Sequence, residues 1–531
     1  MQNPFGDSKT PSELGLGTAG IASFLFIANF VSTAAVGVAF IIIARLLGPN
    51  GYGIYAIALG IIGILGPVSS MGVGRYVEAN VPKLVSSGKR RMMPKLIGSV
   101  LLLLFSIGIV LMLVLLLLSR VITTYLFHSL GYMGLAHLTA IALLFSVIYY
   151  GGYSALVSFG DGKRATIAIL SGTLTQAVAS IILVLSGYGA FGAVLGYTTG
   201  MLLGLITNIY LLAEKAGGIT FSMADIRQRL PKMFGFSMVV NASNASTTMV
   251  SNFAVILLGL LFVPSVAGVY GLAARIGSIL GVVTSTITLV LVPMFSSAFA
   301  KAKISSKIGT VYGYSFYFGF LFTTPLVIYL AVLSTSLVST LFFTSYVSAP
   351  LYVSLISIGL LLQLASLYGT SVAISLSHVK RVLRYSIITS IVELVLLLAM
   401  VPVIGALGAV ISIYLAGGIL SDLLYARYIK RILKVSMIGR TLRLAAPNIV
   451  LLVAMIALAL SSIYATFQLV IGLVLLVALY PPLLGLTGSL DGSEAAFLKS
   501  ASRRIPLFGV LLEKLVAYSE VFRLERDSRH A

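Results

Sequence analysis

The sequence predicts an all-α polytopic membrane protein of about 14 transmembrane helices, arranged as two pseudo-symmetric six-helix bundles plus two C-terminal helices. Three observations carry that expectation. The 531 residues are 59% hydrophobic and only 9% charged, with a mean hydropathy of +1.09, so polar side chains are too few to cover a water-facing globule. Of the 35 Lys and Arg, all but Arg45, Arg120 and Arg275 fall between alternate apolar stretches or in the tails. That asymmetry retains one face of a membrane protein in the cytosol. The chain also resembles itself at an offset of about 217 residues, as a fold built from two copies of one unit would.

A helix needs about 20 apolar residues to cross the hydrocarbon layer. By that measure the first six spans run Ile21 to Ala44, Ile54 to Gly74, Leu96 to Ser119, Leu135 to Phe159, Ala165 to Leu185 and Phe191 to Leu212. The next six run Phe234 to Leu261, Val269 to Val292, Val311 to Val332, Leu351 to Ala373, Tyr385 to Val401 and Ala406 to Tyr425, followed by Leu444 to Ser461 and Phe467 to Leu484. An even number of crossings puts both tails on one side. The basic loops are Arg75 to Lys95, Lys163 with Arg164, Lys215 to Lys232, Lys301 to Lys307, Lys380 to Arg384 and Arg427 to Arg443. The positive-inside rule makes that side cytosolic, in a cell membrane with cytosolic termini. Opposite loops are short, which argues against an extracytoplasmic glycosyltransferase or ligase domain.

The expected organisation is a first bundle over residues 1–213, its repeat over 214–433, two extra spans within 434–484, and a basic cytosolic tail over 485–531. In the tail Leu507, Val510, Leu511, Leu515, Tyr518 and Phe522 recur at helical spacing, the pattern of an amphipathic helix on the membrane surface. The N-terminus shows no small-residue cleavage pattern, so the first helix is expected to serve as its own insertion signal. The net charge of +21 lies in short juxtamembrane loops, where it fixes topology and meets anionic membrane lipids; nucleic acid is not an expected partner. With no Cys, disulfides, thiol catalysis and cysteine metal sites are excluded.

The repeat is specific in its register. Tyr52-Gly53 recurs as Tyr270-Gly271, Lys163-Arg164 as Lys380-Arg381, Ser154 and Ser158 as Ser371 and Ser375, and Gly192-Ala193-Val194 as Gly408-Ala409-Val410. Allowing three extra residues before Tyr270, Pro49 matches Pro264 and Asn29 matches Asn244. Six crossings separate equivalent points, so the copies share one orientation and a pseudo-two-fold along the membrane normal. Such parallel bundles suit alternating access, one half rocking against the other.

Polar residues inside spans are the candidates for chemistry. Asn241, Asn244, Thr248, Ser251 and Asn252 fall on one face of the seventh span, and Asn29, Ser32 and Thr33 form a comparable stripe in the first. Each stripe either lines a wet cavity or hydrogen-bonds a neighbouring helix. Arg275 lies about ten residues into the eighth span, near mid-membrane at about 1.5 Å per residue. It serves either as a fixed cation for phosphate oxygens or as half of an ion pair with Glu393. Glu393 and its repeat counterpart Gln176 mark a polar position in both halves, suited to a proton or sodium ion or to an interhelical hydrogen bond. Arg75 stands at the cytosolic entrance, Arg45 at the outer edge, and Asp422 near a cytosolic helix end beside Arg427, all places where long charged side chains snorkel. Tyr149, Tyr150, Tyr153 and Tyr368 either stack on sugars or pack.

Two patterns are decoys. Gly15, Gly17 and Gly20 spell G-x-G-x-x-G without a preceding strand, and the Asn-Ala-Ser triplets at Asn241 and Asn244 sit inside a span. His128, His137, His378 and His530 are scattered, so neither a metal site nor a catalytic triad is expected, nor any cofactor.

The stretch Ala44-Arg45-Leu46-Leu47-Gly48-Pro49-Asn50-Gly51-Tyr52-Gly53-Ile54-Tyr55, followed by Ser69 to Arg75 and a basic loop, resembles the Wzx-type polysaccharide flippases of the multidrug/oligosaccharidyl-lipid/polysaccharide exporter superfamily. The resemblance implies a V-shaped pair of bundles that moves a polyprenyl-phosphate-linked glycan from the cytosolic to the outer leaflet, with glycan-assembly enzymes as partners. Lipid II flippases of the superfamily use arginines in a central cavity. Only Arg275 matches such an interior position here, and the first span has no interior cation, which argues against lipid II itself. Multidrug extruders of the superfamily place an acidic residue in the first or seventh span; both spans lack Asp and Glu here, which argues against an ion-coupled drug or metabolite exporter, the alternative reading.

Overall fold

The computed structural model describes residues 11–70, 73–88, 90–221, 243, 245–281, 306–376, 378–433 and 441–490, with short pieces of the tail at 494–495, 498, 513–514 and 516–522. Backbone N–H and C=O groups find no water in a hydrocarbon layer, so a chain this apolar is committed to helices that satisfy them internally. The described residues bear this out: the protein is an all-α, multi-pass membrane protein.

Helix α1 runs Pro11–Ser70, starting ahead of the expected Ile21, and continues through the connection expected between Ala44 and Ile54. Its apolar stretch Ala28–Pro67 has 40 residues, about 60 Å of helix, or twice the hydrocarbon thickness. Gly48 divides it with φ 64° and ψ 179°, a conformation open to glycine, and Pro49 then opens the second half as a favoured first residue. Spans one and two are therefore one kinked rod.

After α2 (Val73–Ser86) come α3 (Met93–Leu117), the short α4 (Ser119–Tyr125), α5 (Met133–Ser158), α6 (Gly162–Leu183) and α7 (Gly189–Ala216). Then follow α8 (Ala245–Leu261) and α9 over 264–281. The remaining helices are α10 (Ser306–Val332), α11 (Ser334–Phe342), α12 (Ala349–Leu361), α13 (Leu364–Ser375), α14 (Val379–Ile404), α15 (Ala406–Ile413), α16 (Ser421–Leu433), α17 (Ala445–Leu460) and α18 (Ala465–Leu486). Among the described residues, nine helical stretches are long and apolar enough to cross a membrane, ten with the bent pair α12 and α13. Ala28–Pro67 and the 55-residue Gly162–Ala216 are each long enough for two crossings. Helices α8 and α9 cover the described parts of the seventh and eighth expected spans. Leu117 and Leu460, both more than 80% exposed, show the kind of surface only lipid tolerates.

The chain divides into two compact units, the first of residues 1–47 and 54–256, the second of 48–53 and 257–531. In the first, α6 and α7 approach along a glycine ridge: a Cβ at Gly196 would lie 2.2 Å from Ser180 N, and one at Gly200 2.5 Å from Gln176 Cβ. Small residues at four-residue spacing allow this approach where lipid supplies no hydrophobic drive between helices.

In the second unit Tyr317, Leu321 and Leu333 share a core with Leu451 and Met455 of α17 and Tyr480 and Leu484 of α18. Tyr480 donates its hydroxyl to Leu321 O at 3.1 Å, and Tyr317 to Ser489 O. The tail joins the same core through Leu498 and Val516. Val516 and Ser519 are buried against this core while Tyr518, on the apolar face read from the sequence, is 44% exposed.

Equivalent positions of the two units match in detail. Gly189 (φ 57°, ψ −141°) and Gly405 (φ 59°, ψ −136°) share a backbone conformation that side chains forbid. The sequence offset falls from 217 at Gln176 and Glu393 to 216 here, and a π-helical turn at Val184–Tyr188 in the first unit accounts for the extra residue. A second π-helical segment, Tyr414–Leu420, restores 217 by Gly200 and Gly417. Within the second unit, a Cβ at Gly53 would meet Pro264 O and one at Gly268 would meet Pro49 O. Gly268, rather than Gly271, is thus the structural counterpart of Gly53.

Candidate functional site

Glu393 is the most unusual side chain of the described spans. It lies on α14, 5% exposed, with Ser390 equally buried three residues away on the same face. Glu393 Oε1 and Ser390 Oγ both lack a hydrogen-bond partner. Gly417, in the π-helical segment, leaves the room: a Cβ there would stand 3.7 Å from Glu393 Oε2. Tyr270 of α9 lies within electrostatic reach of both Glu393 and Tyr414. A buried, unpaired carboxylate is costly, so this group is suited to carry a proton or accept a small cation.

No ion pair joins Glu393 to Arg275, though both are among the described residues; Asp161, Arg164, Glu214 and Lys215 do form ion pairs with one another. Arg275 is exposed on α9, its carbonyl accepting from Ser278 Oγ at 2.7 Å.

Gln176, the counterpart of Glu393, is half-buried and packed against Gly200. In the same unit Ser32 is buried and hydrogen-bonds Thr173 Oγ1 at 2.9 Å, so it joins α1 to α6 as interhelical glue. Asn29 is exposed and Thr33 half-buried. On α8, Thr248 and Ser251 are exposed. Asn252 donates to Thr248 O at 2.8 Å, and its amide leaves no room for a Cβ at Gly63. Asn241 and Asn244 lie outside the described residues. Arg75 is on α2, its side chain outside them too. Tyr149 and Tyr368 are packing residues, 1% and 0% exposed, whereas Tyr150 is 55% exposed. A cavity of about 250 Å³ lined by Phe320, Thr324, Thr441 and Asn448 lies between α10 and the start of α17; it contains none of the expected site residues.

Asp422 is the residue whose setting the sequence misplaced. It accepts backbone N–H bonds from Ser366 at 2.7 Å and Ala365 at 3.3 Å, at the start of α13, instead of snorkelling beside Arg427. No Gly or Pro marks the break at Leu362 and Gln363; a carboxylate inside a span was its one trace.

At the N-terminal end of α6, Asp161 accepts from Arg164 Nη1 at 2.7 Å, Arg164 N at 3.2 Å and Lys215 Nζ at 3.1 Å. Partial burial pushes its carboxyl up, but these bonds outweigh that and hold it at about 2. The network clamps the ends of α6 and α7 together.

The fold is shared with solved multi-pass membrane proteins. It is similar to the lipid II flippase MurJ in an inward closed conformation, with a TM-score of 0.67 and 16% identity over 86% of this chain and 97% of that one. It is also similar to an inward-facing multidrug resistance MATE family transporter of the MOP superfamily, with a TM-score of 0.63 and 15% identity over 75% and 94%. No curated protein matches the chain in sequence. Residues 42–350 match the family described as polysaccharide biosynthesis protein, and the chain belongs to that family. The match takes in the Ala44 to Tyr55 stretch that carried the resemblance.

Proposed function

We propose that the protein is a flippase that moves a polyprenyl-linked oligosaccharide from the cytosolic to the outer leaflet of the cell membrane by alternating access, with both termini cytosolic. The observation that carries this reading is membership of a polysaccharide biosynthesis family in a chain whose fold is shared with a flippase and a transporter. The two sequence repeats are its moving halves. Arg275 pairs with the pyrophosphate, and Asn29, Thr248 and Ser251 exchange hydrogen bonds with sugar hydroxyls. Asn241 and Asn244 extend that stripe, and Arg75 guides anionic headgroups at the entrance. Glycan-assembly enzymes supply and consume the cargo.

The test is flipping of a fluorescent lipid-linked oligosaccharide in proteoliposomes. Arg275→Ala should slow it about tenfold or more, and Arg275→Lys, which keeps the charge but not the bidentate fork, should fall between. Unchanged rates in both variants remove Arg275 from the mechanism.

Buried Glu393 favours ion coupling, and with it a second reading, an ion-coupled exporter of drugs or metabolites. Uptake of organic cations into inverted vesicles under an imposed proton or sodium gradient, with no flipping of the labelled glycolipid, selects that reading.

A further inference from the structure

The tenth span is broken at half its length, and the break has a dedicated acceptor. Its 13-residue outer arm α12 and 12-residue inner arm α13 meet at an angle of 42°. A broken helix exposes the amides of its second arm, which in a bilayer must find an acceptor within the protein. Here Asp422 takes the amides of Ala365 and Ser366, its charge opposite the positive end of the α13 dipole.

The first unit shows what happens without such a group. Its corresponding helix α5 is continuous over 26 residues, and the position 217 residues before Asp422 is Leu205. Break and carboxylate occur together in one unit and are absent together from the other. Asp422 is the first residue after Ser421 at the exit of the π-helical segment, whose extra residue sets the register that brings the carboxylate to the break.

We propose that Asp422 is a positioning residue that holds the tenth span broken, making α12 and α13 two arms flexing about Leu362 and Gln363, a motion transport by the second unit requires. The transport part rests on the flippase reading; the hinge part does not.

Proline provides the decisive variant, because a proline in the first turn of a helix removes an amide that needs an acceptor while keeping the chain broken. Asp422→Leu should raise deuterium uptake in the peptide covering residues 362–368, whereas Asp422→Asn, which keeps an acceptor oxygen, should leave it near wild type. In proteoliposomes Asp422→Leu should flip the labelled glycolipid about tenfold more slowly, with Ala365→Pro in the same chain restoring a substantial part of the rate. Unchanged deuterium uptake in Asp422→Leu overturns the hinge. Equal loss in Asp422→Asn and Asp422→Leu without rescue by proline also overturns it, and identifies Asp422 as a charge acting on its own. A wild-type protein that flips no glycolipid but shows the expected uptake pattern retires the flippase reading and leaves the hinge standing.

Discussion

The two units share a repeat but differ in what they bury. Where the second holds Glu393 against Gly417, the first holds Gln176 against Gly200; where the second has Asp422 at a broken helix, the first has Leu205 beside a continuous one. The first packs tightly along α6 and α7, with backbone nearly touching backbone. The second is looser at the matching position and broken in its tenth span, while buried polar oxygens without partners occur in both, Asn208 Oδ1 in the first and Glu393 Oε1 in the second. On the flippase reading proposed above, a tightly packed position in one half and a looser, broken one in the other suit alternating access, since motion needs an element with two discrete arrangements.

The largest effect is expected at Glu393. Glu393→Gln gives the second unit the side chain found in the first and removes its only route to binding a proton or cation at that position. Gradient-driven transport in proteoliposomes should fall about tenfold or more, while exchange without a gradient persists. A variant that still responds fully to a proton or sodium gradient would erase the functional asymmetry between the halves.

A smaller effect sharpens the packing contrast. At Gly200 an added Cβ meets Gln176 Cα and N at 2.7 Å, backbone that cannot step aside, so Gly200→Ala should cost about 1–3 kcal/mol in detergent unfolding. At Gly417 the nearest atom is a carboxylate oxygen at 3.7 Å, an ordinary contact, and Gly417→Ala should stay within about 0.5 kcal/mol. Equal costs would mean that the second unit is packed as closely as the first.

Hydropathy and charge alternation made the spans legible because each is a sum over some twenty side chains. Single-residue backbone events were not. Gly48 carries a kink where the sequence predicts a connection between Ala44 and Ile54, and the π-helical turns show in sequence only as a one-residue slip in the repeat. The polar stripes were legible as faces but not as destinations: Ser32 belongs to a stripe that could line a cavity, yet finds Thr173 141 residues away. Glu393 stood out as an acidic residue in a span, whereas its missing partners depend on where Tyr270, Tyr414 and Gly417 fall.

The smallest effect separates the units at the ends of α6 and α14. Asp161 is replaced in the repeat by His378, whose Nδ1 lies 2.8 Å from the Tyr428 hydroxyl, with Arg381 4.9 Å above the Tyr428 ring. The first clamp is ionic and partly open to solvent; the second is aromatic. Asp161→Asn should cost up to about 1 kcal/mol at neutral pH, and less at about 1 M salt, where charges are screened within about 3 Å. Because the Asp161 carboxyl is held at about 2 in the folded protein, below its unfolded value of about 3.9, its contribution is complete above about pH 4 and lost as pH falls towards 2. Tyr428→Phe removes one hydrogen bond at a cost of about 0.5–1.5 kcal/mol that added salt should leave nearly unchanged. Unfolding of the two variants across a salt series therefore reads the difference between the halves directly, and parallel salt dependence would show that both ends are held by the same kind of force.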